Sequence, residues 1–112
     1  MLETPSSARI VMTTVAGTED AERLGRALVE ERLAACVTLI PSASSIYRWQ
    51  GQIETSIETL LFLKTESDRL DALEARLLEL HSYQVPEFLV LPVESGSHPY
   101  LTWLRDSLHK GS

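Results

Sequence analysis

The chain has 112 residues, 44% of them hydrophobic and 23% charged, and a net charge of −6 at pH 7, which fits one globular domain and leaves no room for a second. Ten scattered basic residues against sixteen acidic ones exclude a nucleic-acid partner, because phosphate binding draws its affinity from clustered Lys and Arg. The single cysteine excludes an internal disulfide and agrees with a reducing compartment.

The first residues, Met1-Leu2-Glu3-Thr4-Pro5-Ser6-Ser7, lack the basic start and apolar core of a signal peptide. No apolar run approaches the roughly 20 residues of a membrane span. The expectation is a cytoplasmic protein with no membrane partner, with residues 1–8 loose, one domain over 9–109 and a tail at 110–112. Arg9 to Val15 is β-branched and enters a turn at Ala16-Gly17, so it reads as a buried first strand. Thr18 follows as the expected N-cap of a helix, with Glu19 and Asp20 in its first turn, where the macrodipole favours negative charge. Ala21, Leu24, Ala27 and Leu28 share one face of that helix through about Glu31.

From Leu33 to Thr65 the pattern is of two long strands turning at Gln50-Gly51, where Gly supplies the positive φ of a tight hairpin loop. In the second arm Ile53, Ile57, Leu61 and Leu63 fall on one face and Glu54, Ser56, Glu58 and Lys64 on the other, the period of a half-buried strand. At about 3.3 Å per residue the arm from Ala34 to Trp49 would span roughly 50 Å, while a compact chain of this length has a radius of gyration of only about 13 Å. Either Pro41 and the serines that follow it bend the arm back, or the tip projects and must pair with something else.

Thr65 or Ser67 is the expected cap of a second helix, on which Leu70, Leu73, Leu77 and Leu80 recur at helical spacing. It must stop near His81-Ser82, because Pro86 pushes the chain before it toward extended geometry. Phe88 to Val93 is nearly continuously apolar, as expected of a strand covered on both faces. Gly96 ends it, and a last helix from about Pro99 carries Leu101, Leu104 and Leu108 on one stripe. The order is βαββαβ with an extra C-terminal helix, an α+β ferredoxin-like arrangement. Its sheet has one face covered by helices and one bare.

Leu33-Ala34-Ala35-Cys36-Val37-Thr38, Tyr47-Arg48-Trp49-Gln50-Gly51, Leu63-Lys64-Thr65, Tyr83-Gln84-Val85-Pro86-Glu87 and Tyr100-Leu101-Thr102-Trp103-Leu104 occur in an order and spacing that resembles the CutA family of divalent-cation tolerance proteins over roughly Arg9 to Leu108. The resemblance implies a ferredoxin-like subunit in a homotrimer whose hairpins reach across to neighbouring subunits. It also implies a link to tolerance of copper and other divalent metals. Family members proposed to bind copper carry a Cys in the first strand and two adjacent His before the Tyr-Gln-x-Pro-Glu motif; the matching positions here are Thr13 and Leu80-His81. Copper(II) favours N and O donors in tetragonal geometry, so one imidazole per chain needs donors from elsewhere. His81 is therefore the one metal-ligand candidate, against a plain helix-end residue suited to the negative dipole end.

Cys36, in an apolar strand, reads as a small hydrophobe. Glu54 and Glu58, four apart on one strand face and roughly 13 Å apart, are too distant for a carboxylate dyad, and a solvated face is the expectation for both. Lys64 and Glu87 would pair if their strands were neighbours. Glu58, Lys64, Tyr83 and Glu87, with His81, are the candidate polar cleft. Tyr47 and Trp49 share a face of the hairpin and are expected at an interface. Ser42, Ser44 and Ser45 have no nucleophile elbow around them, and neither a P-loop nor zinc spacing occurs, so no enzyme activity and no obligatory cofactor are expected. The function expected is metal tolerance as a trimer, through weak binding of Cu(II) or another divalent cation. The alternative is a trimeric signalling or anchoring protein with a small metabolite or a protein in its subunit clefts.

Overall fold

A computed structural model describes residues 1–109, so the tail expected at 110–112 lies outside the described residues. Alternation dictates the sheet. In β2 (Ala8–Val15) every second side chain from Val11 onward is buried, and in β4 (Gln52–Glu66) Thr59, Leu61, Leu63 and Thr65 are. The antiparallel register places Val11 opposite Leu63 and Thr13 opposite Leu61, so these residues form one inner face. Helices α1 (Thr18–Glu30) and α2 (Leu70–Leu80) cover it with Leu24, Leu28, Leu73 and Leu77. Each of these leucines contributes roughly 1.5–3 kcal/mol by leaving water. Among the described residues no helix is long and apolar enough to cross a membrane.

The four-stranded sheet runs β3-β4-β2-β5, with β3 at Cys36–Trp49 and β5 at Leu89–Pro92, and all its pairs are antiparallel. This is the split βαβ order, with the expected extra helix α3 at His98–Ser107. That helix buries Leu101 and Leu104, with Leu108 just beyond it, in a second small core against Ala8 and Ala35.

The long hairpin turns at Gln50-Gly51, whose φ angles of 51° and 82° are both positive, the two-residue loop whose twist matches its strands. It does not fold back. Pro41 and Ser42 form a bulge opposite Thr59, and the strand then continues to Trp49. The long axis is 47 Å against 25 and 23 Å, and the radius of gyration is 14.9 Å. The distal half of the hairpin therefore projects beyond its own globule.

Several expectations need correcting. Gly17, extended at φ −135°, occupies the N-cap of α1, while the Thr18 hydroxyl meets that of Thr59 at 3.2 Å. Neither Thr65 nor Ser67 caps α2. A 3-10 turn at Ser67–Arg69 leads into that helix, and the Thr65 hydroxyl donates to the Leu33 carbonyl at 2.8 Å. The apolar strand expected to be covered on both faces is β5, an outer strand with Leu89 55% exposed. Its apolar run is therefore not explained by two layers within the chain. Gly96 does not simply end a strand: β6 (Gly96–Ser97) pairs with β1 (Leu2–Glu3). The N-terminal segment expected to be loose is thus fastened, and Glu3 accepts hydrogen bonds from Arg105 at 2.9 and 3.0 Å and from His98 at 2.7 Å.

Candidate functional site

Where the hairpin leaves the body, a cleft of about 1000 Å³ opens between β3, β4, the end of β2 and the 81–88 loop. Its floor is Glu58. This residue was expected on a solvated face, yet it is 7% exposed, because the loop following α2 crosses the sheet and lays Tyr83 over it. The Tyr83 hydroxyl donates to Glu58 Oε2 at 2.6 Å. Burial works against the Glu58 anion, but the hydroxyls of Tyr83, Ser45 and Thr14 outweigh it, and its pKa is lowered. Conversely the Tyr83 phenol is pushed well up, by burial and then by the carboxylate it serves. Glu87 lines the same cleft; burial, and then the charge of Glu58, raise its pKa.

His81 holds this loop in place, and the two bonds it makes fix its tautomer. The backbone N–H of Tyr83 can only donate, so His81 Nδ1 accepts at 3.1 Å. The Thr14 carbonyl can only accept, so Nε2 carries the proton and donates at 2.8 Å. The imidazole also packs against the Tyr83 ring, centroids 4.8 Å apart. With both nitrogens engaged, His81 has no lone pair left for a metal. Thr13, which stands where the resemblance would put a Cys, is fully buried among core residues, and its Oγ1 has no hydrogen-bond partner among the described residues. Among the described residues no group of three His, Cys, Asp or Glu comes together. The donors among the described residues of one chain do not fit a copper(II) site.

Of the expected cleft residues the structure assembles Glu58, Tyr83 and Glu87, and adds Tyr47 and Trp49 as walls. Lys64 does not join them. It lies six residues further along β4, roughly 20 Å at 3.3 Å per residue, paired in register with Cys36 and Ile10. Among the described residues no ion pair links it to Glu87. Tyr47 and Trp49, 42% and 44% exposed, share the face of Glu58 because of the bulge. Upstream of it Ile40 pairs with Leu60, and downstream Ala43 pairs with Glu58, a shift of one residue that turns every later β3 side chain to the opposite face. The same shift brings Ser45 opposite Ser56, whose hydroxyl meets that of Tyr47 at 2.8 Å. Thr14 and Ser56 were not singled out as site residues from the sequence, and Ser45 was weighed only as a nucleophile; the serine patch was visible, but not the bulge that aims Ser45 inward.

The family model described as CutA1 divalent ion tolerance protein matches residues 9–107. The chain is 46% identical over 98 residues to the divalent-cation tolerance protein CutA of Thermus thermophilus, covering 88% of this chain and 95% of that protein. It is 41% identical over 98 residues to a rice (Oryza sativa) relative named CutA 1, chloroplastic, covering 88% of this chain and about half, 55%, of the rice protein. The solved structure of CutA from Synechococcus elongatus superimposes with a TM-score of 0.93 at 41% identity, covering 97% of this chain and 96% of that one. A match spanning the whole hairpin, the 81–88 loop and α3, in both sequence and backbone, places this chain in the CutA1 divalent ion tolerance family.

Proposed function

We propose that this protein serves in divalent-cation tolerance as a cytoplasmic, non-enzymatic homotrimer, and that any metal it meets is handled by the assembly and not by a site within one chain. The observation that carries this reading is the apolar surface of the projecting hairpin. Ile46 is 73% exposed, Ile53 62% and Ile57 64%, on strands that outrun their own core. A contiguous apolar face on a projecting hairpin of this kind marks an interaction surface. The outer strands β3 and β5, the latter with Leu89, Val90 and Leu91 exposed, offer free backbone edges for such pairing. The cytoplasmic assignment rests on the free Cys36 thiol.

Sedimentation velocity at micromolar protein tests the assembly. Three chains of 12.5 kDa each are expected to move as one species, unchanged by a small excess of Cu²⁺ because His81 is already occupied. The double substitution Tyr47→Ala with Trp49→Ala is expected to shift mass toward the monomer. A monomeric wild-type protein removes the trimer, and a Cu²⁺-dependent change in mass that disappears in His81→Ala restores the imidazole as a ligand.

One observation favours a second reading, a trimer that binds a small metabolite. The cleft over Glu58 has a volume at the upper end of the roughly 300–1,000 Å³ of small-molecule sites, and polar groups converge on it. Fold alone is a weak warrant for such a role, so its chemistry must come from the cleft itself.

A further inference from the structure

We propose that the cleft over Glu58 takes an organic cation, a guanidinium or alkylammonium group seated against the Glu58 carboxylate between the rings of Tyr47, Trp49 and Tyr83. The inference rests on the metabolite-binding reading and gives it a chemical class.

Glu58 has no ion-pair partner among the described residues; His81 acts on its charge, but as the last of the causes that lower its pKa. Glu58 is over nine-tenths buried, and the groups that stabilise its anion by hydrogen bonding are the neutral hydroxyls of Tyr83, Ser45 and Thr14. Among the described residues no ion pair reaches Glu58 or Glu87, and neither Lys nor Arg is among the residues lining the cleft. Buried carboxylates are ordinarily paired with a positive group. Glu87, on the same wall, feels the same negative field, since the Glu58 charge helps to raise its pKa. A single cation in the cleft would satisfy the first carboxylate and offset its field at the second.

The walls decide which cation. A bare divalent ion asks for six or more oxygen ligands in a close shell, whereas among the described residues no group of three His, Cys, Asp or Glu that could hold a metal forms around the two glutamates. A space of about 1000 Å³ is far larger than an ion needs. Aromatic faces attract weakly hydrated, delocalised cations, guanidinium above all, and three aromatic residues line this cleft. Anions are repelled by both carboxylates, and a neutral apolar ligand would leave the buried charge as it was. Two sources carry the favoured chemistry. One is a free small molecule; the other is an Arg or Lys side chain of a second copy of this chain, of which Arg48 stands exposed near the hairpin tip.

Calorimetric titration of the assembled protein with butylguanidinium, and with butylurea as a neutral and nearly isosteric control, tests the proposal beside sedimentation of Glu58→Gln and Glu87→Gln. Glu87 is less deeply buried than Glu58, so its variant keeps the test valid should Glu58→Gln fold poorly. A free-ligand site predicts saturable butylguanidinium binding, weaker by about tenfold or more in the variants, as expected on losing a charge-assisted contact, with butylurea silent and the mass unchanged. A site filled by a second copy predicts no probe binding to the wild type, with a lower sedimenting mass for the variants at equal concentration. Equal binding of both probes, equal affinity in wild type and variants, or no binding together with unchanged mass in both variants overturns it. A monomeric wild type removes the trimer reading and leaves the probe titration to be judged separately.

Discussion

Replacing Tyr83 by phenylalanine deletes one oxygen and leaves the ring that packs on His81. That oxygen donates to Glu58 at 2.6 Å, a short, charge-assisted bond to a carboxylate that is only 7% exposed. Hydrogen bonds to charged groups are worth about 1.5–3 kcal/mol, and water cannot readily replace this one, so Tyr83→Phe is expected to lose about 2 kcal/mol at pH 7. The pH dependence has a definite sign. The folded-state pKa of Glu58 is lowered, so its contribution is fully present above the unfolded value of 4.5 and is lost as pH falls through the folded value. In the variant a donor to the anion is gone and the folded pKa moves up. The difference between the two proteins therefore shrinks on acidification toward the roughly 0.5–1.5 kcal/mol of a neutral hydrogen bond. Urea denaturation followed by tryptophan fluorescence, from pH 7 stepwise into acid and at one fixed protein concentration because assembly is linked to stability, measures both quantities. A loss under about 0.5 kcal/mol at pH 7, or one that does not change with pH, would refute the claim that the phenol holds a buried anion.

Two further outcomes follow from the fold. Glu3 binds Arg105 and His98, and these bonds, Arg105 first, hold its pKa at about 2. The β1–β6 pairing is thus expected to be intact above pH 4.5 and to loosen as pH falls toward 2, seen by NMR as a shift of the His98 amide, which donates to the Met1 carbonyl at 2.8 Å; a flat titration from pH 5 to 2 would exclude the carboxylate as the fastener. Gly51→Ala meets nothing within 4 Å of the added Cβ, yet φ is +82° there, so the cost is backbone strain alone, about 1 kcal/mol. It is read as a lower urea midpoint at unchanged slope, and an unchanged or higher midpoint would mean that the turn relaxes.

What could be read from the sequence was whatever a local period or a single residue decides. Alternation in β4 gave the inner face, β-branching gave the first strand, Gln50-Gly51 gave the turn, and Pro86 gave the end of α2 near His81. What could not be read depends on partners distant in sequence. The Pro41-Ser42 bulge adds one residue against Thr59, and that single offset decides whether Ser45, Tyr47 and Trp49 or Ser44, Ile46 and Arg48 join Glu58. Nothing in the order of residues states it. Glu58 read as solvated because its strand neighbours Glu54 and Ser56 are polar, whereas its burial comes from a tyrosine 25 positions away. His81 was legible as a residue of consequence at a helix end, but only the fixed directions of the Tyr83 amide and the Thr14 carbonyl show that it serves as a clip.

The inner-face alternation of β4 shows how far the chain's own pattern extends beyond its own core. Ile53, Ile57, Leu61 and Leu63 keep one unbroken period, yet Leu61 and Leu63 are fully buried while Ile57 and Ile53 are 64% and 62% exposed. A solvated strand end has no physical reason to stay apolar on one side, since each exposed isoleucine forgoes roughly 1.5–3 kcal/mol of burial and adds to an aggregation-prone edge. The period is what the proposed assembly would use, offering a second apolar surface on the face that the core leaves uncovered. Glu58 sits between the two regimes, on the opposite face just where the buried part of β4 gives way to the exposed part. A cleft in that position has Glu58 as its floor and the exposed half of the hairpin beside its open side. Under the proposed assembly its charge balance, like its metal-binding capacity, would belong to more than one chain, and what faces the Glu58 carboxylate is the first quantity to reckon.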